Sequence, residues 1–498
     1  MSNSLGWVFS VITSVLFWGV AALVLVRIIM VALGRYNLRL SAKTVKAKTV
    51  RDRLLQWFSV LVSEGAEARF TAVTSAKHAA SEKDSPPSSS TVSEKDAAPS
   101  YSKTAVSTDG LNINIKIILF GVGVRLATLL LAYIFLHREG WDVTLEYLFR
   151  SFNRWDAPHY QVLADIGYAY TEWNQNSGQY LNLFVVFFPL YPWLIRFVNL
   201  FVGNFLASAY IVSFASYLAG LCYIYHLVKL DFKSSTAWWA VILISIFPSS
   251  FFLGAPHTES LFILTTAATL YYIRTHRWLL AGLAGALATA TRMVGIILIA
   301  TAAVEFVMHY NLFTLMKKAK WGQFFSLIGK KGLLILIMLS GTIVYLFINW
   351  RITGDPLIFL YFQRTNWHNG FLYFGSTMRM QFNSMPNIAM EAIRHNSSLY
   401  IHLPNILGFA FGVWMIVYAC IRRHNAGYLV YALGYTFVSF SMIWLLSGGR
   451  YAAALVPSFI FLADYVDKKV HRRVIVTAIF IALLLPILRM YVLGGWVM

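Results

Sequence analysis

Apolar runs long enough to cross a bilayer recur from one end of this chain to the other. They lie at 6–33, 113–136, 181–202, 205–228, 237–253, 259–274, 278–300, 332–350, 404–421, 427–446, 452–466 and 473–494, with a shorter one at 302–316. About 20 apolar residues span the hydrocarbon core as a helix, and only helices or closed barrels satisfy every backbone group there. The expected fold class is therefore all-α, a multi-span transmembrane helical bundle of about 11–13 spans. Composition agrees: only 12% of residues are charged, about half the share a soluble surface carries. The formal net charge of +20 would suggest nucleic acid in a soluble protein. Here Lys and Arg concentrate in the short connectors, as the positive-inside rule requires. Membrane lipids are thus the expected surface partner, and nucleic acid is not.

Three zones follow. Residues 1–33 read as a retained N-terminal transmembrane helix, because the run is too long for a cleaved signal and lacks a basic start. Residues 34–112 read as a cytoplasmic linker. It is basic from Arg35 to Arg53, carries a possible amphipathic helix at 51–63, and then turns Ser-, Pro- and charge-rich, too polar to offset its ordering entropy. Residues 113–498 form the membrane core. The basic connectors 35–53, 317–331, Arg422-Arg423 and 468–473 belong on the cytoplasmic side, which puts loops 137–180, 351–403 and 447–451 outside. The span count does not close between 181 and 274, so one segment there is re-entrant or not a span. Cys222 and Cys420 sit in apolar runs as small buried residues, with no disulfide or metal framework. Asn396 opens a glycosylation sequon that matters only in a secretory setting. The chain belongs in the plasma membrane if prokaryotic and in the endoplasmic reticulum membrane if eukaryotic.

The loop after the first core span reads RSFNRWDAPHYQVLADIGY (150–168). Arg154, Trp155, Asp156 and His159 fall within six positions. A carboxylate beside an arginine favours its charged form, and such a group can take a proton from an attacking sugar hydroxyl. A polyprenyl phosphate leaves well without a strong acid, so one base and a phosphate clamp suffice for an inverting transfer, by analogy with inverting glycosidases. The plainer reading is that Asp156 starts a short interfacial helix, since Asp-Ala-Pro resembles a helix entry. FFPLYP (187–192) then breaks an apolar run with two prolines.

His257 and Glu259 interrupt apolar sequence at 247–262, and Arg292 lies within a run read as mid-span. A charge at the bilayer centre costs about 2.5–3.5 kcal/mol and must find a partner. Glu259 and Arg292 can be that pair as a structural bridge, or Arg292 can hold a donor phosphate with its planar fork. Asp355, Gln363 and Arg364 lie in the second outside loop with Trp367 and His368, whose aromatics suit either an interface belt or a sugar platform. Arg450 stands at an outside span end against the charge trend, for a lipid phosphate or as a snorkelling side chain. No metal site is expected, since His159, His257 and His368 are scattered without ligand spacing. No cofactor is expected either, as there is no Gly-rich nucleotide loop.

Together RWDAPHY (154–160), ADIGY (164–168), FFPLYP (187–192), PHTESLF (256–262), TRMVG (291–295), GDPLIF (354–359) with Gln363, and GRYAAALVP (449–457) resemble the second mannosyltransferase of glycosylphosphatidylinositol assembly and its prokaryotic relatives. These are GT-C type multi-span glycosyltransferases. The resemblance covers about 113–466 and leaves 1–112 unmatched. It implies a GT-C-like core, a polyprenyl- or dolichyl-phosphate mannose donor, a lipid or glycolipid acceptor and an inverting reaction at the non-cytoplasmic face. Asp156 takes the catalytic acidic position of the first outside loop. Arg154, Trp155, His159, His257, Glu259, Arg292, Asp355, Gln363, Arg364 and Arg450 are the substrate-binding candidates. A transporter or lipid-linked-sugar flippase is the alternative, since buried charges and proline-broken spans also suit that class. A non-catalytic scaffold using 34–112 as a binding arm is the third reading.

Overall fold

The computed structural model describes residues 2–32, 108–174, 178–385, 398–495 and 497. Most of the expected linker 34–112, its amphipathic stretch 51–63 and the Asn396 sequon lie outside the described residues.

Helix α1 (Ser2–Ala32) runs along the core, and α2 (Thr108–Arg138) crosses in the opposite sense. After α2 come two short helices, α3 (Leu145–Arg150) and α4 (Asp156–Asp165), and a small antiparallel hairpin. In it β1 (Glu172–Asn174) pairs with β2 (Gln179–Leu181), Trp173 facing Tyr180.

The segment expected to span at 181–202 does not cross. Residues 183–186 form a single 3-10 turn, and α5 (Leu190–Val202) starts only after Pro189. Gly203 ends it in the left-handed conformation (φ 69°), and the Asn204 side chain caps α6 (Phe205–Lys229) by accepting from Ala207 N at 3.0 Å. Tyr191 Oη bonds Ser213 Oγ at 2.7 Å and Ala209 O at 3.2 Å. Helix α5 therefore lies against the first part of α6 and never reaches its far end, which resolves the span count.

Among the described residues, three pairs of short helices then enter from one end, turn inside the protein and return. The first is α7 (Ser234–Ser245) with α8 (Glu259–Arg274), joined by irregular chain at 246–258. Helix α8 comes back to its starting level, where Arg274 pairs with Asp231 at 2.6 Å. The second is α9 (Trp278–Thr291) with α10 (Ile297–His309). The expected single span 278–300 is broken at Arg292, whose backbone is extended, so Arg292 sits at a turn rather than in mid-span. Gly295 makes that turn possible: a Cβ there would lie 2.8 Å from the Ala288 carbonyl carbon. The run at 302–316 divides between the end of α10 and α11 (Leu312–Lys317). Helix α12 (Trp321–Lys330), flanked by Lys320 and Lys331, follows, and α13 (Leu339–Thr353) crosses. Short α14 (Ile358–Thr365) and α15 (Phe374–Asn383) sit at the far end, and α16 (Ser398–Ile421) crosses back. The third pair is α17 (Ala426–Ser439), which stops well before the expected 446, with α18 (Gly448–Ala454) and α19 (Val456–Asp467) returning. Helix α20 (Val470–Val492) makes the last crossing.

Six described segments are long and apolar enough to cross a membrane. That is about half of the 11–13 spans expected: the apolar runs at 237–300 and 427–466 form the limbs of the three turned pairs, which enter and leave at one end. The end that carries Arg274, Arg422, Arg423 and Lys468 gathers the basic connectors, the end that the positive-inside rule expects at the cytoplasm. The chain is an integral multi-pass membrane protein.

Turning inside the protein frees backbone groups that lipid cannot satisfy. Arg125 of α2 meets that need in the first pair. It is buried and donates to Ser245 O at 2.8 Å, to Leu253 O at 2.9 Å and to Ser250 O. A cation at the end of α7 also complements that helix's dipole.

Candidate functional site

The three turns meet at one place, near the outer end. Glu259 opens α8, Arg292 links α9 to its 3-10 turn, and Arg450 lies in the first turns of α18. Glu259 Oε1 accepts from Arg292 Nη2 at 2.6 Å and from Arg450 Nε at 2.7 Å. Arg292 also donates to Thr258 Oγ1 at 2.8 Å. The expected Glu259–Arg292 pair is present, as one half of a three-membered network. Each guanidinium covers an aromatic face, Arg292 that of Phe262 at 5.7 Å and Arg450 that of Phe252 at 4.7 Å. Glu259 Oε2 has no hydrogen-bond partner among the described residues.

Asp156 reaches this network from outside the turns. It is the first residue of α4, and its Oδ2 accepts from Arg450 Nη1 at 3.4 Å. The cation beside it is thus Arg450, 294 positions away, and not the neighbouring Arg154. The exposure of the four side chains orders them: Glu259 0%, Arg450 4%, Arg292 16%, Asp156 37%. Asp156 is the most accessible of the four, and Glu259 the least. Trp155 before it adopts a positive φ of 58° and makes no side-chain cap. Such a backbone costs about 1–3 kcal/mol and persists only where packing imposes it; here it sets the direction in which Asp156 leaves the chain.

Arg154 is occupied by backbone. It donates to Ser151 O at 2.8 Å and Val492 O at 3.1 Å, so it fastens this loop to the end of α20. His159 lies one turn after Asp156, with Phe184 at 4.6 Å and Phe187 at 5.5 Å between ring centroids. Its burial lowers its pKa from the ordinary histidine value, partly opposed by Asp156 and Glu172. His257 is fully buried behind Glu259, and its Nε2 is 3.2 Å from Tyr491 Oη.

The second outside loop behaves differently: Asp355, Gln363 and Arg364 are not brought to this cluster. Asp355 is exposed and closes a local turn by accepting from Leu357 N at 2.8 Å. Gln363 and Arg364 belong to α14, whose buried face of Phe359 and Phe362 packs on the 183–186 turn. Trp367 touches the region indirectly, its ring 6.0 Å from Phe187. Among the described residues, no group of three or more His, Cys, Asp or Glu is arranged to hold a metal ion.

Sequence reasoning missed Thr258, Tyr491 and Arg125. Thr258 sits beside Glu259 but is an ordinary hydroxyl in sequence. Tyr491 bonds both His257 and Phe152 O, at 3.2 and 3.0 Å. Arg125 was legible, as a lone cation inside an apolar run.

Residues 188–345 match the family described as dolichyl-phosphate-mannose-protein mannosyltransferase. The match includes His257, Glu259 and Arg292, and excludes Asp156 and Arg450. No curated protein matches the chain significantly. Among solved structures, it is similar to the oligosaccharyltransferase of Archaeoglobus fulgidus tethered to an acceptor peptide with the NVT sequon. That likeness has 12% identity and a TM-score of 0.38 over 76% of this chain and 55% of that one. The archaeal oligosaccharyltransferase AglB of the same organism, in complex with an inhibitory peptide and a dolichol-phosphate, is similar at 12% identity. Its TM-score is 0.35, over 75% of this chain and 55% of that one. The chain spans about half the length of these structures.

Proposed function

We propose that this chain is a glycosyltransferase that moves mannose from a polyprenyl- or dolichyl-phosphate donor to a hydroxyl of a lipid or glycolipid acceptor, with inversion, at the non-cytoplasmic face. The observation that carries the reading is an accessible carboxylate, Asp156, held beside a buried arginine, Arg450, at the end opposite the basic connectors. In this reading the acceptor oxygen bonds to sugar C1 and gives its proton to Asp156. The bond from C1 to the phosphate oxygen breaks, and its electron pair leaves with the lipid phosphate. Arg450 and Arg292 supply planar forks for the departing oxygens, and Glu259 between them fixes their separation before substrate arrives. The family matched over 188–345 is named for a dolichyl-phosphate-mannose donor, which supports that donor class.

The test is incubation of purified protein with labelled polyprenyl-phosphate-mannose and a membrane-lipid extract, followed by identification of the labelled product. Asp156→Asn is expected to abolish transfer, a loss of at least about 100-fold for a removed general base, with thermal stability retained. Transfer at the native rate by a folded Asp156→Asn protein ends the base assignment.

Turned helices also suit a transporter or flippase. Inverted-repeat transporters relate their broken helices by an axis in the membrane plane, which would send half the turned pairs in from the outer end. All three described here enter from the basic end, which favours chemistry at one face. Flux of a lipid-linked sugar across proteoliposomes without its consumption would reverse that preference.

A further inference from the structure

The last turn of α20 meets both parts of the site. Tyr491 is fully buried there. Its Oη donates to Phe152 O at 3.0 Å and lies 3.2 Å from His257 Nε2. A carbonyl oxygen can only accept, so the one hydroxyl proton of Tyr491 points to Phe152. His257 Nε2 must then carry a proton and donate to the tyrosine oxygen. Phe152 lies four residues before Asp156, and His257 two residues before Glu259. One hydroxyl therefore links the loop that carries the accessible carboxylate to the turn that holds the two arginines.

A second fastening joins the same loop to the same helix end. Arg154 donates to Val492 O at 3.1 Å and to Ser151 O at 2.8 Å. Gly494 is in the left-handed conformation (φ 91°), and a Cβ there would lie 2.9 Å from Arg154 Nη1. The guanidinium thus rests where only glycine leaves room for it. The Tyr491 ring packs on Phe251 and Phe252, at 5.0 and 5.2 Å between centroids. Phe252 in turn carries the Arg450 guanidinium at 4.7 Å. By contrast, the direct contact of Asp156 with Arg450 is 3.4 Å long, and the carboxylate is 37% exposed. A contact of that length is weaker than the bonds at 2.8–3.1 Å that hold the loop. The loop bonds, and not the ion pair, set where Asp156 stands.

We propose that Tyr491 is a positioning residue: its hydroxyl, with Arg154 beside it, fixes the register of the Asp156 loop against the Glu259 turn. Phe152 and His257 occupy the hydroxyl, so it acts through Asp156 and not on substrate. The catalytic consequence rests on the glycosyl-transfer reading above, whereas the anchoring rests on these contacts alone.

The test uses the full chain carrying Tyr491→Phe, which keeps the ring beside Phe252 and removes the hydroxyl. Peptide-resolved hydrogen exchange without substrate should be faster over 151–160 by roughly fivefold or more, because Phe152 O and His257 lose a buried partner. Exchange in α13 should stay at its native rate. In the transfer assay kcat should fall by roughly tenfold or more, since a small misplacement of a reacting group costs rate. The donor KM should hold, because the ring still supports Phe252 beside Arg450. Native exchange over 151–160 overturns the proposal. So does faster exchange there with native kcat, which would leave the loop anchored without positioning the base. A raised donor KM at native kcat moves the effect to donor binding and overturns it too. If Tyr491→Phe does not fold, Gly494→Ala displaces Arg154 from the same anchor and should give the same two changes; native values of both overturn the anchor. If the native chain transfers no mannose, the glycosyl-transfer reading fails, and exchange over 151–160 alone decides the anchoring.

Discussion

Glu259 is the residue on which the site's stability turns. It is fully buried and accepts from two guanidiniums. Removing its charge leaves Arg292 and Arg450 close together in a water-poor site, and breaking such a buried network from one side costs about 3–5 kcal/mol. Glu259→Gln should therefore lower the thermal midpoint sharply, whereas Asp156→Asn at the accessible edge of the cluster should not; equal shifts for the two would refute this division of roles. His159 gives a prediction in pH. Burial lowers its folded-state pKa below the ordinary value of 6.5. The unfolded chain then binds more protons just below pH 6.5, so stability falls as pH drops through that range towards the folded value. His159→Gln should remove this component, and thermal midpoints of both proteins at about pH 7.5 and about pH 5.5, either side of the unperturbed value, measure it. At this scale the sequence was informative where a charge interrupts an apolar run, as Glu259, Arg292 and Arg450 do. It was silent on partnership. Asp156 and Arg450 are 294 positions apart, and nothing local distinguishes Arg450 from Arg154 as the cation that Asp156 meets.

At the scale of elements, the turned pairs matter more than the long helices. Their limbs are 12 to 16 residues in the first pair, so the chain reverses inside the protein and delivers polar turns there. Arg125 supports the first reversal through three carbonyls. Arg125→Leu strands all of them, at about 1–3 kcal/mol each. It should destabilise the protein and lower transfer although Arg125 touches neither Asp156 nor Glu259. Arg125→Lys, with a point charge in place of a fork, should restore little. Undiminished transfer and stability in Arg125→Leu would show that the turn holds without it. Hydropathy finds these regions but misjudges their form. It registers apolar length and not reversal, so 278–300 reads as one span across the break at Arg292. The run 181–202 reads as a span because α5 exposes Phe197, Leu200 and Phe201, although Pro189 delays its start.

For the whole molecule, α1 is a structural member of the core. Phe17 is buried, with Phe374 at 4.5 Å and Phe437 at 5.9 Å, and Trp18 Nε1 donates to Tyr373 Oη at 2.8 Å. The α15 helix it braces holds the chain leading to Arg450, through Thr377 Oγ1 to Met442 O at 2.8 Å and Gln381 Nε2 to Leu445 O at 2.9 Å. Deleting residues 1–33 should lower both stability and transfer, and supplying α1 as a separate peptide should recover part of each. A deletion variant as stable and active as the full chain would contradict this. The bundle class and the presence of an N-terminal helix were legible from apolar length alone, whereas the docking of α1 on α15 depends on ring packing that no local pattern encodes.

Asp156 and Arg450 belong to different parts of the architecture: one rides on a short helix of the outer cap, the other on a turn rooted in the membrane, and a contact of 3.4 Å joins them. The carboxylate and its cation keep their spacing only while α4 and α18 both hold their places, so a substitution that shifts either helix is felt at both charges.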